Sequence, residues 1–481
     1  MAHRLILKNF RIVDETMDRI GSVIVEDGRI RELFSGSDEA GPDGAGPGEA
    51  GLVIDGSRLN PVGLHPDRAG GLPVLLPALV DLHAHFRDPG FLPGNGLPAE
   101  GLPSEVLESA GLAAVAGGYG TVVCMANTKP VIDTPEKAAL LKKRSDALGL
   151  IDLYPVLSLT RDMEGRELSG ITALAQVRGA YVPRLLSEDG RDVADDGLFL
   201  AALTEARRLG LPVSCHCDAG GPEAEAARRA GQGREVWSRI EENHGTRRAI
   251  ALGREAGCHI HIAHVSTKEA VDLIRAAKKT VKSGRGGVDA TPGSFFLTCE
   301  ATPHHIALTE EDARHLGLES HGRVNPPLRA EEDRQALIAG ILDGTIDAIA
   351  TDHAPHTQAG KAGGAPGFTG LETAFGVCVT ELVQEPCSAR RSGGISLSRL
   401  SALMSGAPAR ILGLGKDRGR IAAGFRADLV IADAGAVRTV EADFFKSRGR
   451  NSPFSGREFR GIILMTIRGG RVVFDAPVCY N

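Results

Sequence analysis

At 481 residues the chain can bury one large core and carry a smaller domain beside it. A net charge of −6, with no basic patch interleaved with aromatics, argues against nucleic acid as the main partner. The first ten residues are too polar for a signal peptide and no apolar run approaches the ~20 residues of a membrane span, so no membrane association and a cytoplasmic location are expected.

Residues 1–34 hold short alternating segments, Leu5-Ile-Leu7 and Ser22-Val-Ile-Val25, with Glu26-Asp-Gly28 as a turn. From about 35 to 71 the sequence is dense in Gly, Pro, Asp and Glu, which predicts a flexible insertion containing one strand, Gly51-Leu-Val-Ile-Asp55. An apolar run, 75–82, then reads as a buried strand ending in His83-Ala-His85. Side chains two apart on a strand share a face, so both imidazoles can meet one metal ion. Arg87 continues the parity and suits a substrate carboxylate held in a bidentate fork.

Strand-like runs recur at 74–82, 120–125, 151–156, 180–186, 212–217, 258–264, 295–301 and 346–351, with helix-like segments such as 135–148, 198–209 and 246–256 between most of them. Eight β-then-α units predict an α/β fold, a (β/α)8 barrel with its site at the C-terminal ends of the strands. Two loops interrupt the rhythm, at 91–104 and 279–292. Beyond residue 412, runs near 419–431, 459–467 and 470–474 are strand-like again. The β-rich chain ends predict one composite β-sandwich, built from 1–72 and 415–481 and flanking a barrel at 73–414. The scattered cysteines are read as reduced, buried residues, and Cys215-His-Cys217 is too closely spaced for an ordinary zinc pair.

Four more residues sit at or just past strand ends: Asp189, His216, His264 and Asp352. With His83 and His85 they could hold one or two divalent ions, a donor set suited to zinc, with manganese or cobalt as substitutes. A metal there lowers the pKa of water and polarises a carbonyl, making a metal-activated hydroxide the nucleophile. Asp352 is the natural proton shuttle. The chemistry expected is hydrolysis, or reversible closure, of an amide-like C–N bond. Asp189 could instead be a turn residue of Asp-Gly, and His259 and His261 alternate opposite to His264 and read as structural. His353 and Asp352 cannot both face inward, and Asp352 has the parity of the apolar run.

With these residues placed, the chain resembles the dihydroorotases of the amidohydrolase superfamily from its first β unit to its last strands. The matching segments are His83-Ala-His-Phe-Arg-Asp-Pro-Gly90, Met125-Ala-Asn-Thr-Lys-Pro130, His264-Val-Ser-Thr267, Cys299-Glu-Ala-Thr-Pro-His-His305, Arg323-Val-Asn-Pro-Pro-Leu-Arg329, Thr351-Asp-His-Ala-Pro-His356 and Gly370-Leu-Glu-Thr373. Lys446-Ser-Arg448 and Asn451-Ser-Pro-Phe454 resemble the family's closing segment. The resemblance implies interconversion of L-dihydroorotate and N-carbamoyl-L-aspartate in de novo pyrimidine biosynthesis. It implies His83, His85, His216, His264 and Asp352 as metal ligands, Asp352 also as acid/base, and Arg87, Asn127, Asn325 and His356 as substrate contacts. Many relatives bridge their metals with a carboxylated lysine. Here the region 181–190 has none, and an aspartate of Asp-Gly takes that place, Asp189 rather than Glu188. Other expectations are a homo-oligomer and association with aspartate carbamoyltransferase. The competing readings are an allantoinase-like amidohydrolase and a catalytically silent scaffold for that transferase.

Overall fold

The computed structural model describes residues 4–36, 51–61, 71–88, 104–177, 181–218, 220–280, 294–384, 393–441, 443–476 and 478–480. Most of the expected insertion at 35–71, and nearly all of the loops at 91–104 and 279–292, lie outside the described residues.

Alternating apolar and polar residues make strands of Arg4–Asp14 and Met17–Glu26, paired antiparallel with Asp14 opposite Met17. Asp27 and Gly28, at φ 48° and 78°, turn the chain into Arg29–Ser35, since two successive left-handed residues match the twist of a tight hairpin. On the other edge of Arg4–Asp14 lie Leu52–Asp55 and Val74–Pro77, both parallel to it. Val74–Pro77 pairs in turn with Leu429–Thr439, and Glu458–Arg468 and Arg471–Asp475 follow. Both chain ends thus enter one eight-stranded sheet. Its core, including Leu5, Phe10, Val23, Leu75, Ile431 and Leu464, is separate from that of the barrel.

The run expected as one strand over 74–82 is two. Val74–Pro77 belongs to the outer sheet and Leu79–Ala84 to the barrel. Pro77 has no N–H to continue a ladder, the Ala78 N–H goes to Asp428 O at 2.9 Å, and the Leu79 N–H goes to Gly118 O at 2.9 Å. The chain therefore crosses the outer sheet before it opens the barrel.

We number the barrel strands β1 (Leu79–Ala84), β2 (Tyr119–Cys124), β3 (Asp152–Pro155), β4 (Leu186–Ser187), β5 (Val213–Cys215), β6 (His259–Ile262), β7 (Phe296–Ala301) and β8 (Ala348–Ile349). All pair parallel with their neighbours, and the bridges Leu157–Leu186 and Ala84–His353 close the two seams. β4 and β8 are shorter than expected. Pro183 interrupts the approach to β4, and Thr351 past β8 gives its N–H and hydroxyl to Asp81 rather than to a ladder. Helix Pro135–Leu148 matches its expected span, opening on the Thr134 cap and closing at Gly149 with φ 71°. Helix Arg234–Ala256 starts well before the expected residue 246, because its first half buries Glu241 and Glu242 and carries no apolar stripe. Among the described residues no helix is long and apolar enough to cross a membrane.

Candidate metal centre

Barrel closure brings the ends of β1, β4, β5, β6 and β8 to one rim. His83 is the penultimate residue of β1 with His85 just beyond its end, while Asp189, His216, His264 and Asp352 follow β4, β5, β6 and β8. All six are buried. Asp189 is at the centre. Its Oδ1 lies 3.1 Å from His83 Nε2, 3.2 Å from His216 Nδ1 and 3.5 Å from His264 Nε2, and its Oδ2 lies 3.3 Å from His85 Nε2. Asp352 Oδ1 approaches His85 Nε2 at 3.2 Å and His83 Nε2 at 3.6 Å. Glu188 turns away, accepting the Leu159 and Thr160 N–H groups at 2.8 and 3.0 Å. His353 also faces elsewhere, accepting the Gly370 N–H at 3.2 Å on Nδ1.

Burial alone would push both aspartates up. The neighbouring imidazoles of His83, His216 and His264 instead hold the Asp189 carboxyl well below the usual range, and those of His85 and His83 do the same for Asp352. Burial pushes the Arg87 guanidinium down, against the pull of Asp352 and Asp189. Arg87, His264 and Asp352 all have left-handed backbones, at φ 51°, 29° and 47°. Such conformations cost about 1–3 kcal/mol each in non-glycine residues and persist where surrounding contacts hold them.

Supporting contacts set ring orientation. His85 Nδ1–H donates to Asn127 Oδ1 at 2.8 Å, which turns Nε2 toward the aspartates. Asn127, expected to hold substrate, is thus placed against the His85 imidazole as well. Asn325 Nδ2 lies 2.9 Å from His216 Nε2, and its Oδ1 accepts from Arg234 at 3.0 Å. His356 Nε2–H donates to Pro366 O at 2.8 Å, and burial and Arg87 bring its pKa down to about 4.

One residue had no role assigned from the sequence. Glu300 of β7 is fully buried, and its pKa, which burial would raise, is brought down to about 2 by His261 and His83. As a carboxylate it can only accept, so His83 Nδ1–H donates to Oε1 at 3.0 Å and His261 Nε2–H to Oε2 at 3.0 Å. His261 Nδ1 and His259 Nε2 both reach Thr298 Oγ1 at 2.9 Å. The signal was a charge within an apolar strand, in the segment Cys299-Glu-Ala-Thr302, with no partner nearby in sequence.

The donor set fits a divalent ion. Imidazole nitrogens and ionised carboxylate oxygens converge in the groups His83, Asp189, His264 and His83, His85, Asp352. His83 Nε2 and Asp189 Oδ1 are buried with no hydrogen-bond partner among the described residues, and a shared cation satisfies both. Cys215 and Cys217 lie apart from this set, their thiols turned to the carbonyls of Val213 and Cys215.

The amidohydrolase family profile matches residues 74–473. A dihydroorotase of Clostridium botulinum is 36% identical over 470 residues, covering 98% of this chain and 99% of its own. One of Thermus aquaticus is 37% identical over 499 aligned residues, covering 98% and 99%. Among solved structures, the L-hydantoinase of Arthrobacter aurescens superposes with a TM-score of 0.75 over 99% of this chain and 97% of its own, at 23% identity, a likeness of fold.

Proposed function

The chain belongs to the amidohydrolase family, among its dihydroorotases, and from that premise we propose how its own residues carry the reaction. It is a metal-dependent hydrolase of a cyclic amide, interconverting L-dihydroorotate and N-carbamoyl-L-aspartate in de novo pyrimidine biosynthesis. His83, His85, Asp189, His216, His264 and Asp352 would hold one or two zinc ions, the metal that four imidazoles with two carboxylates suit best. When bound, such an ion lowers the pKa of water and polarises a carbonyl. The observation that carries this reading is the Asp189 carboxylate ringed by four imidazole nitrogens, all within 3.5 Å.

The remaining roles fall to side chains around that cluster. Arg87, with its buried Nε free of any hydrogen-bond partner among the described residues, is suited to grip the substrate carboxylate as a fork. Asn325 and His356 bound the same space, and both belong to it as contacts for the ring and its carboxylate. Asp352 stays ionised in the resting site, so it can take a proton from the attacking water and pass it to the leaving ring nitrogen. In the closing direction the same carboxyl returns the proton. Its value lies in being placed where charge develops, not in binding substrate and transition state alike.

Hydrolysis of L-dihydroorotate by the zinc-loaded protein, followed by loss of ultraviolet absorbance, tests the reading, with allantoin and dihydrouracil in parallel. Turnover of dihydroorotate alone is expected, with kcat lowered about 10²- to 10⁴-fold in Asp352→Asn. Turnover of a neutral ring in preference would sink the substrate assignment. The same assay with aspartate carbamoyltransferase added reads the expected association as a gain in turnover.

A further inference from the structure

Two loops bring Asn325 and His356 to the site, and a lysine outside the metal cluster joins them. Lys361 lies in the short helix Gln358–Ala362 and is 1% exposed. Its Nζ donates to the carbonyls of Arg323 at 2.7 Å, Gly367 at 3.0 Å and Ala365 at 3.1 Å, and stands 5.1 Å from the centre of the Phe368 ring. An ammonium has three N–H donors, and here each has a backbone acceptor. Burial is the main influence on its pKa, bringing it down to about 8, and Arg323 adds to the fall. A lysine this buried is normally paired with an acid. A methionine would fill the same space with no charge to desolvate. What the ammonium supplies is convergence, since it draws carbonyls of two separate segments onto one point.

Those segments carry the substrate contacts. Arg323 precedes Asn325 by two residues, and the Asn325 carboxamide lies against His216 at 2.9 Å. In the other segment the Gly367 N–H donates to the same Arg323 carbonyl at 3.0 Å, and Pro366 O accepts from His356 at 2.8 Å. Asn451 braces this second loop through Ala354 O, Gly367 O and the His356 N–H. Lys361 spans both loops. We propose that Lys361 is a positioning residue, its ammonium locking loop 323–329 to loop 354–369 and so fixing Asn325 and His356 at the separation that binds substrate. The inference rests on the reading of Asn325 and His356 as substrate contacts.

Steady-state kinetics with L-dihydroorotate on Lys361→Met, Lys361→Gln and Asn325→Ala, with zinc content measured on each, tests this. Lys361→Met is expected to raise KM about tenfold, with kcat within about threefold and zinc content unchanged, the pattern of lost uniform binding. Lys361→Gln keeps two N–H donors and falls between. A KM near the wild-type value in Lys361→Met, with only a lower Tm, would make the lysine a packing residue and overturn the proposal. Asn325→Ala separates the two readings. An unchanged KM there removes the substrate role of the loop itself, whereas a raised KM there beside an unchanged Lys361→Met removes only the lysine's.

A second arm needs no variant. Amide hydrogen exchange on the wild type at pH 7 and pH 9.5, corrected for intrinsic rates, compares the ammonium with the amine. The other charged or titratable groups acting on Lys361 are Arg323 and His356, the latter neutral at both pH values with its pKa near 4. Segments 323–329 and 354–369 are expected to lose protection together at pH 9.5. Loss in one alone, or in neither, counts against the proposal.

Discussion

Glu300 shows how a single buried carboxylate can orient an imidazole of the candidate site. It takes the Nδ1–H of His83 and the Nε2–H of His261, which directs His83 Nε2 at Asp189. Glu300→Gln preserves the volume but presents an N–H to one imidazole, so zinc affinity is expected to fall about 10- to 100-fold, with activity recovering at saturating zinc. Competition with a chelator reads this directly, and an unchanged affinity would remove Glu300 from the support of the site. Arg87 has a different duty, and Arg87→Lys replaces a planar fork by a point charge. KM for dihydroorotate should rise about 10- to 100-fold, the worth of the ~1.5–3 kcal/mol in a charged hydrogen bond. Zinc binding should stay as in wild type.

At the scale of elements, the loop that follows β6 is held by a helix and a second loop. Glu242 of helix Arg234–Ala256 accepts the Ser266 N–H at 2.7 Å and the Thr267 N–H at 3.1 Å, two and three residues past His264. Arg329 donates to Glu242 Oε2 at 3.0 Å, Ser266 Oγ at 3.0 Å and Ser238 Oγ at 2.9 Å. The pair is buried, and Gly245 on the same helix lets it lie against the strand end that carries His216, since a Cβ there would come within 2.9 Å of the Cys217 backbone. Arg329→Met leaves Glu242 buried without its cation and is expected to cost about 3–5 kcal/mol, seen as a lower urea midpoint. A loss below about 1 kcal/mol would mean that the hydroxyl and backbone donors to Glu242 suffice without the arginine.

Across the whole molecule, Arg418 pins the segment leading to the outer sheet onto the floor of the barrel. It donates to Asp152 Oδ2 at 2.7 Å and Thr121 Oγ1 at 2.9 Å, while Lys142 reaches Asp152 Oδ1 at 3.0 Å. Burial would raise the Asp152 pKa, but Arg418 and Lys142 hold it below the usual carboxylate range. A folded-state pKa below the unfolded value of about 3.9 gives stability that is present above that value and lost as pH falls through the folded one. The urea midpoint of the wild type should therefore decline below about pH 4. Asp152→Ala should lose about 3–5 kcal/mol at pH 7 and show a shallower acid decline. Equal slopes for the two proteins would take Asp152 out of the acid response.

What the sequence by itself determined was whatever rests on local period and parity. His83 and His85 share a face because they are two apart at the end of an apolar run, and the other four cluster residues were legible as polar groups closing apolar runs. The eight-fold β/α rhythm carried the barrel, and the β-rich ends carried the composite sheet. Closure of the ring was left to tertiary structure. The passage from Val74–Pro77 to Leu79–Ala84 was invisible because both pieces are buried, so no change of hydrophobic period marks a change of sheet. Glu300 and His83 stand 217 residues apart, and Asn127 and His85 stand 42 apart. No local pattern encodes such pairs, because a buried polar group takes whichever partner the closed barrel brings within hydrogen-bond reach.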